Sequence, residues 1–173
     1  MRDINKAASA LNPDKMLWLN QQHLVRANPR DVVPHLQWQL RRLGIESDDQ
    51  ALLEGIIVSQ RERAKTLKEM AANSRFFFGD EVTLDPKAAD KNLTADARVL
   101  LKELGARLAN LAEWQATAIH AVLEELAKEK ALGLGKIAQP LRVAVTGGTV
   151  SPPIDATLEL LGRGRTLARL ARV

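Results

Sequence analysis

Apolar residues recur at helical spacing along this chain, and no stretch alternates convincingly between apolar and polar residues as a β-strand would. In the segment LNPDKMLWLNQQHLV, for example, Met16, Leu17, Leu19 and Leu24, with Trp18 beside them, predict a helix face that points into the core. Asn12 is a good N-cap residue, and Pro13 suits the first helical position. Ala, Leu, Glu, Lys and Arg, most of them strong helix formers, dominate the composition. The sequence therefore predicts an all-α fold.

One segment, RFFFGDEVTLDPKAADKN, interrupts the helical pattern near the middle of the chain. Three phenylalanines are followed there by Gly79 and Pro86, which is typical of an apolar plug that leads into a loop or junction. We therefore expect two helical subdomains in series, residues 1–74 and 75–173. Beyond the first helix, the pattern predicts helices at about 31–43, 48–58, 61–73, 94–112, 113–131, 136–145, 153–161 and 163–171.

The residue inventory excludes several kinds of chemistry. The 173 residues include no cysteine, so disulfides, thiolate metal sites and cysteine nucleophiles are excluded. The three histidines lie far apart, and none has a second ligand at metal-binding spacing. The adjacent Glu124 and Glu125 project about 100° apart on a helix, so they cannot flank one substrate. GLGKI and TGGTV lack the spacing of a phosphate-binding loop, and no apolar run reaches the roughly 18 residues of a membrane span. We expect no catalytic residue, no metal site and no membrane partner.

The positive charge is concentrated at one end of the chain. The net charge is +4, and the segment from Leu134 onward, with six basic and two acidic residues, carries all of this surplus. A localised surplus predicts a polyanionic partner. A solvated basic helix explains the surplus equally well, and charge alone does not separate the two interpretations.

Two short motifs allow both a structural and a binding interpretation. A helix over residues 61–73 would place Arg61 beside Lys65, with Arg63 on another face, where it either pairs with a carboxylate or points into a cleft. The turn Ser151-Pro152-Pro153 is either an ordinary capped helix start or a rigid seat for phosphates and unstacked bases.

Three segments, in the same order along the chain, resemble bacterial glutamyl-tRNA synthetases. NPDKMLWLNQQHL is similar to the segment that follows the catalytic half of these enzymes, and QRERAKTLKEMAANSRFFF is similar to a later motif. PLRVAVTG, followed by PPIDATLELLGRGRTLARL, resembles their closing segment. The three motifs cover nearly the whole chain. The resemblance implies the all-helical anticodon-binding portion of this class I synthetase, and the helical pattern argues against the β-barrels of the related glutaminyl enzymes.

The resemblance also implies roles for individual residues. Arg63 matches an arginine that faces the third anticodon base, and Arg142 matches an arginine near the middle of the anticodon. Ser151, Pro152 and Ile154 match residues that pack around the first two bases.

The basic side chains nearby are the expected phosphate contacts: Lys65, Arg163, Arg165 and Arg169. Two positions depart from the family pattern. Pro153 stands where some members have glycine, and Gly164 replaces an acidic residue.

The catalytic signatures of the family are absent, so the chain resembles a fragment that starts just after them, with Met1 as a start introduced by truncation. The resemblance implies a parent enzyme that joins glutamate to tRNA(Glu) with ATP and Mg²⁺. The fragment itself is expected to hold no cofactor, to be inactive alone, and to contact the tRNA stem through residues 1–74. Its expected partners are tRNA(Glu) and the catalytic half of the same chain, in a cytoplasmic monomer. The alternative is a helical protein-interaction module without an RNA partner, which salt-dependent binding to tRNA would exclude.

Overall fold

The computed structural model describes residues 12–173, which fold into ten α-helices and one 3₁₀ turn, without a strand in this range. The prediction of an all-α fold is confirmed. The helices are α1 Pro13–Arg26, α2 Pro29–Arg41, α3 Gln50–Gln60, α4 Leu67–Asn73, α5 Pro86–Asn92, α6 Ala95–Ala109, α7 Ala116–Glu129, α8 Gly135–Thr146, α9 Ile154–Leu161 and α10 Arg163–Leu170, and the 3₁₀ turn is Arg75–Phe77.

Most of the helices in the first two thirds of the chain begin at a side-chain cap. At each of these starts, a side-chain oxygen accepts a hydrogen bond from a backbone N–H two or three residues further on, which contributes about 1 kcal/mol. The capping residues are Asn12, Asn28, Asp49, Thr66, Asp85 and Thr94. The predicted cap at Asn12, followed by Pro13, is confirmed. The predicted inward face of α1 is wrong at Met16 and Leu19, which are exposed, and Leu24 is the buried residue of this helix.

The predicted helix over 61–73 is wrong in its first half, because a new helix starts at Leu67. The Thr66 hydroxyl accepts the N–H of Glu69 at 3.1 Å, and the Glu69 carboxylate accepts the N–H of Lys65 at 2.9 Å. These reciprocal bonds, close to a capping box, favour a helix start over a continuous helix. Arg63 therefore lies in a turn, and the expected helical face with Arg61 beside Lys65 does not form.

The interrupting segment also contains more structure than the sequence suggested. Phe77 is completely buried, as an apolar plug requires. The loop that was expected to follow contains α5, because the Asp85 carboxylate accepts the Ala88 N–H at 2.7 Å and Pro86 occupies the first helical position.

The buried apolar side chains form one cluster with members on both sides of residue 74. α2 packs on α3 and α4, and α3 packs on α9. At the α3–α9 contact the backbones approach closely: a Cβ on Gly55 would lie 2.3 Å from Cδ2 of Leu160. The division into 1–74 and 75–173 stays a prediction, and its first eleven residues lie outside the described range.

The turn between α8 and α9 is held at its start. Gly147 ends α8 with φ of +85°, a left-handed conformation that suits glycine. A Cβ at this position would lie 2.3 Å from the carbonyl oxygen of Thr83. The Gly147 carbonyl also accepts the Asp85 N–H at 2.8 Å. The chain therefore leaves α8 in a fixed direction, toward Ser151.

Candidate nucleic-acid interface

Ser151 is the point on which two arginines converge. Nε of Arg142, on α8, donates a hydrogen bond to Oγ of Ser151 at 2.9 Å. Nη1 of Arg63, in the turn before α4, donates to the backbone oxygen of the same serine at 3.2 Å, although the two residues are 88 positions apart. Three of the residues singled out in the sequence thus form one cluster. We call Arg63 and Arg142 the arginine pair, and the cluster consists of this pair and Ser151.

The arginine pair lacks an acidic partner in the described chain. Among residues 12–173, no carboxylate oxygen lies within 4.0 Å of either guanidinium group. Burial of its side chain, and secondarily the positive charge of Arg63, lower the pKa of Arg142. The interpretation of Arg63 as one half of a structural ion pair is therefore wrong within this range. Two adjacent positive charges without a counter-ion favour a ligand rich in negative charge or hydrogen-bond acceptors.

Ser151 does not cap α9. The cap position is Pro153, which makes no side-chain capping bond. The Ser151 hydroxyl donates instead to the carbonyl of Pro152 at 2.8 Å and accepts from Arg142. The interpretation of this turn as a serine-capped helix start is wrong, because the hydroxyl is used to hold the arginine.

The turn exposes different apolar residues from those expected. Ser151, Pro152 and Ile154 are all buried, with Ile154 only 7% exposed. The exposed apolar surface comes from Pro153 and from Val150, whose side chain is 81% exposed. Sequence reasoning missed Val150, although an apolar residue between a glycine-rich turn and a proline pair was a usable signal.

Gln139 also belongs to this site and was missed. Its Oε1 accepts from Nη1 of Arg142 at 2.7 Å, and its Nε2 donates to the carbonyl of Thr149 at 3.1 Å. The signal was present in the spacing, because residues three apart on a helix are neighbours.

Arg169 is not a phosphate contact, and that prediction is corrected. The side chain is only 2% exposed, and burial lowers its pKa. Its guanidinium donates to backbone carbonyls of four residues that the fold brings together: Val145, Phe76, Gly79 and Asp80. A buried donor group that is already occupied in this way cannot reach a phosphate.

The other expected phosphate contacts retain some exposure. Lys65 is exposed and has no acidic partner within the described residues. Arg163 donates to the carbonyl of Leu111 and lies 5.5 Å from the centre of the Trp114 ring. Arg165 donates to the Asp80 carboxylate at 3.3 Å and to the Phe77 carbonyl at 3.1 Å. Arg163 and Arg165 are thus partly engaged inside the protein, and their role as phosphate contacts stays a prediction.

The chemistry available around Ser151 is that of binding. Planar guanidinium groups match the acceptor edges of bases and phosphates, and exposed apolar side chains suit unstacked bases. Over residues 12–173, no three His, Asp or Glu side chains group closely enough to hold a metal ion. Nor does any helix in that range combine the length and apolar character needed to cross a membrane.

Comparison with known proteins identifies the family of this sequence. A family model described as the anticodon binding domain matches residues 30–173. This chain is 48% identical over 170 residues to glutamate–tRNA ligase 1 of Alkalilimnicola ehrlichii, and 45% identical over 172 residues to glutamate–tRNA ligase 2 of Halorhodospira halophila. These matches cover 98% and 99% of this chain, respectively, but 36% of each relative. The chain thus spans about a third of the length of these curated relatives.

Solved structures give the same result for the fold. A glutamate tRNA ligase from Elizabethkingia meningosepticum, in complex with its amino acid, matches with a TM-score of 0.86 and 28% identity. A glutamate–tRNA synthetase from Elizabethkingia anophelis matches with a TM-score of 0.82 and 28% identity. Each match covers 98% of this chain and 33% of the other. The resemblance to bacterial glutamyl-tRNA synthetases is confirmed, and the chain belongs to the anticodon-binding domain family.

Proposed function

We propose that this chain binds the anticodon arm of tRNA(Glu) and seats unstacked anticodon bases against the arginine pair and Ser151. The observation that carries the proposal is the convergence of Arg63 and Arg142 on Ser151 without an acidic partner in the described range. Single-stranded loops are read through the hydrogen-bonding edges of splayed bases, and arginine supplies only donors. The site is therefore suited to bases that present acceptors.

Arg63 is proposed to read the third anticodon base. It is exposed and makes one side-chain hydrogen bond within the described residues, through Nη1, so its other donors are available. The glutamate anticodon ends in C, which offers acceptors at O2 and N3, whereas the glutamine anticodon ends in G, which presents N–H donors at N1 and N2. Donors facing donors leave hydrogen bonds unmade, at a cost of about 1–3 kcal/mol.

The turn from Val150 to Ile154 is proposed to support the other two bases. Val150 and Pro153 offer exposed apolar faces, while Pro152 and Ile154 form the buried layer beneath them. Arg142 faces the middle of the anticodon from the side of α8. In this arrangement Ser151 acts through its hydrogen bond to Arg142, and Pro152 and Ile154 through the shape of the turn.

Phosphate contacts are proposed for Lys65, Arg163 and Arg165. Lys65 is close in sequence to Arg63 and lies in the same exposed turn, which suits a strand whose base is held by the arginine. Each phosphate contact adds about 0.7–0.9 to the slope of log affinity against log salt.

For the whole protein, we propose the activity named for its relatives, ligation of glutamate to tRNA. Identity of 48% to a glutamate–tRNA ligase over nearly this entire chain supports that assignment. ATP and Mg²⁺ would then act in a catalytic half of the same chain, and the protein would work as a cytoplasmic monomer. Residues 1–74 would contact the tRNA stem and residues 75–173 the anticodon. This chain alone should not catalyse glutamate-dependent ATP–pyrophosphate exchange.

The decisive experiment compares tRNA(Glu) with its variant in which the third anticodon base is changed from C to G. Binding of both RNAs is measured at one fixed salt concentration, for the wild type and for Arg63→Gln. Glutamine both donates and accepts, so the preference for C should narrow in the variant. The matched control is Arg30→Gln on α2, which removes the same charge from an exposed arginine and should leave the preference unchanged.

Two results would contradict the assignment of Arg63. Equal weakening of both RNAs would make it a phosphate contact, and a large fall in the melting temperature would make it a structural residue. Failure of the wild type to bind tRNA in a salt-dependent way would favour a protein-interaction module.

A further inference from the structure

We propose that Gln139 is a positioning residue, which fixes the Arg142 guanidinium in the orientation that base recognition requires. The inference rests on the proposed function, because it concerns how Arg142, one of the residues proposed to recognise a base, is held. Gln139 lies on α8, three residues before Arg142, and its amide bridges two parts of the site. The amide oxygen accepts a hydrogen bond from Nη1 of Arg142 at 2.7 Å, and the amide nitrogen donates to the carbonyl of Thr149 at 3.1 Å.

Both partners of Gln139 require the same orientation of its amide. Arginine has only donors, so the amide oxygen must face Arg142. A backbone carbonyl only accepts, so the amide NH₂ must face Thr149. A flipped amide would lose both bonds at once, and the bridge therefore has one stable arrangement. This arrangement ties the Arg142 side chain to the turn that carries Ser151.

Arg142 needs such a restraint because its surroundings disfavour the observed position. The side chain is half-buried, and the nearby positive charge of Arg63 opposes its own. Within the described chain its guanidinium is held only by Ser151, through Nε, and by Gln139, through Nη1. Without Gln139, repulsion from Arg63 and the unmet hydrogen-bonding need of Nη1 would favour rotation of the side chain away from the site.

The same two bonds select the part of Arg142 that can meet a ligand. Because Nε and Nη1 are engaged, Nη2 is the nitrogen without a partner among residues 12–173. Gln139 uses one N–H and one lone pair of its amide in these two bonds, so its amide is fixed in place between Thr149 and Arg142. Its contribution to specificity passes through Arg142.

A double-mutant cycle on tRNA binding tests this division of roles. Gln139→Met keeps the length of the side chain but removes both hydrogen bonds. We expect it to raise the Kd for tRNA(Glu) about tenfold, as loss of one hydrogen bond to a charged group would. It should also reduce discrimination against tRNAs changed at the middle anticodon base. In an Arg142→Lys background, the same replacement should change the Kd less than about twofold.

The matched control is Gln115→Met. Gln115 stands at the start of α7, is exposed, and makes no side-chain capping bond, so its replacement should leave both affinity and base preference unchanged. Equal effects of Gln139→Met in the two backgrounds, while wild-type binding remains intact, would overturn the role of Gln139 and leave the proposed function standing. Loss of anticodon-dependent binding in the wild type would overturn both.

A measurement without RNA supports or overturns the positioning role directly. In the free protein, the Nε–Hε NMR signal of Arg142 should be sharp in the wild type and broadened or shifted in Gln139→Met. Gln139→Glu retains an acceptor for Nη1 and should keep the signal sharp, although it loses the donor to Thr149. An Arg142 signal that is identical in wild type and Gln139→Met would overturn the inference, even if that variant binds RNA poorly for another reason.

Discussion

The chain contains two arginine-rich regions whose guanidinium groups have different surroundings. Around Ser151, Arg63 and Arg142 approach each other with donors to spare and no acid nearby in the described range. On α10, Arg169 is buried with backbone carbonyls around it, and Arg165 pairs with Asp80. The charge count of the sequence favours the second region as the binding surface, but the arrangement of hydrogen-bond partners favours the first. The two regions thus differ in the number of arginine donors that the fold leaves unused, and the proposed function assigns binding to the region with more of them.

The largest effect should come from Arg169→Met, which tests the structural side of the comparison. The replacement leaves several buried carbonyls without a donor, so the free energy of unfolding should fall by about 3 kcal/mol or more. Chemical denaturation measures this directly. The control is Arg172→Met, since Arg172 is half exposed and pairs with the exposed Glu81. Its loss should cost less than about 1 kcal/mol. Similar losses of unfolding free energy in the two variants would mean that the burial of Arg169 does not make it more important for stability than Arg172.

Arg142→Gln tests the binding side of the comparison. It should weaken tRNA(Glu) binding by roughly tenfold to a hundredfold, the range expected for hydrogen bonds from a charged donor. Its effect on stability should be small, because removing the charge also relieves repulsion from Arg63. Titration of tRNA and a melting curve on the same sample measure both quantities. A variant that is much less stable but binds tRNA normally when folded would mean that Arg142 has a structural role, as Arg169 does.

The double replacement of Arg163 and Arg165 by glutamine tests two arginines that are partly exposed and partly hydrogen-bonded within the protein. If both arginines contact phosphates, the slope of log affinity against log salt should flatten by about 1.4–1.8. Binding at four or five salt concentrations would measure this change. An unchanged slope would assign both side chains to their intramolecular partners, Leu111 and Asp80.

The smallest effect is expected where an arginine is paired with acids at the surface. Hydrogen bonds from Lys130 and Arg107 lower the pKa of Glu103, and a hydrogen bond from Arg107 lowers the pKa of Glu129. A carboxyl whose folded pKa is depressed adds stability above its ordinary value, about 4.3, and that contribution disappears as the pH falls through the depressed value. Arg107→Gln should therefore leave tRNA affinity unchanged. It should also make unfolding begin at a slightly higher pH during an acid titration followed by circular dichroism. An identical acid titration would mean that this surface network contributes nothing measurable.

Local signals in the sequence predicted those parts of the fold that local chemistry determines. Asn12 caps the first turn of α1 and Pro13 occupies its first position, so these two residues are enough to recognise the helix start. The same kind of signal, Thr66 followed by Glu69, could have marked the start of α4. The predicted helix over 61–73 ran through this cap, whereas the reciprocal bonds of Thr66 and Glu69 start α4 at Leu67.

Residues whose roles depend on distant partners could not be placed in this way. Arg169 is buried because carbonyls of the segment from Phe76 to Asp80 and of Val145 come together around it, and no spacing in the sequence records that meeting. The resemblance to a known family did bring Arg63, Arg142 and Ser151 onto one list. It could not reveal that Ser151 holds the two arginines rather than capping a helix.

The close approach of Gly55 to Leu160 joins the two helices that flank the turns of the candidate site. α3 leads into the turn that carries Arg63, while α9 follows the turn that carries Ser151. A change in the spacing of the two helices would therefore move the turns that carry Arg63 and Ser151 relative to each other. Even a methyl group at position 55 would lie 2.3 Å from the Leu160 side chain, which would have to move. Under the proposed function, a larger residue at position 55 would change base preference by shifting Arg63 against Ser151, without replacing any residue proposed to contact the RNA.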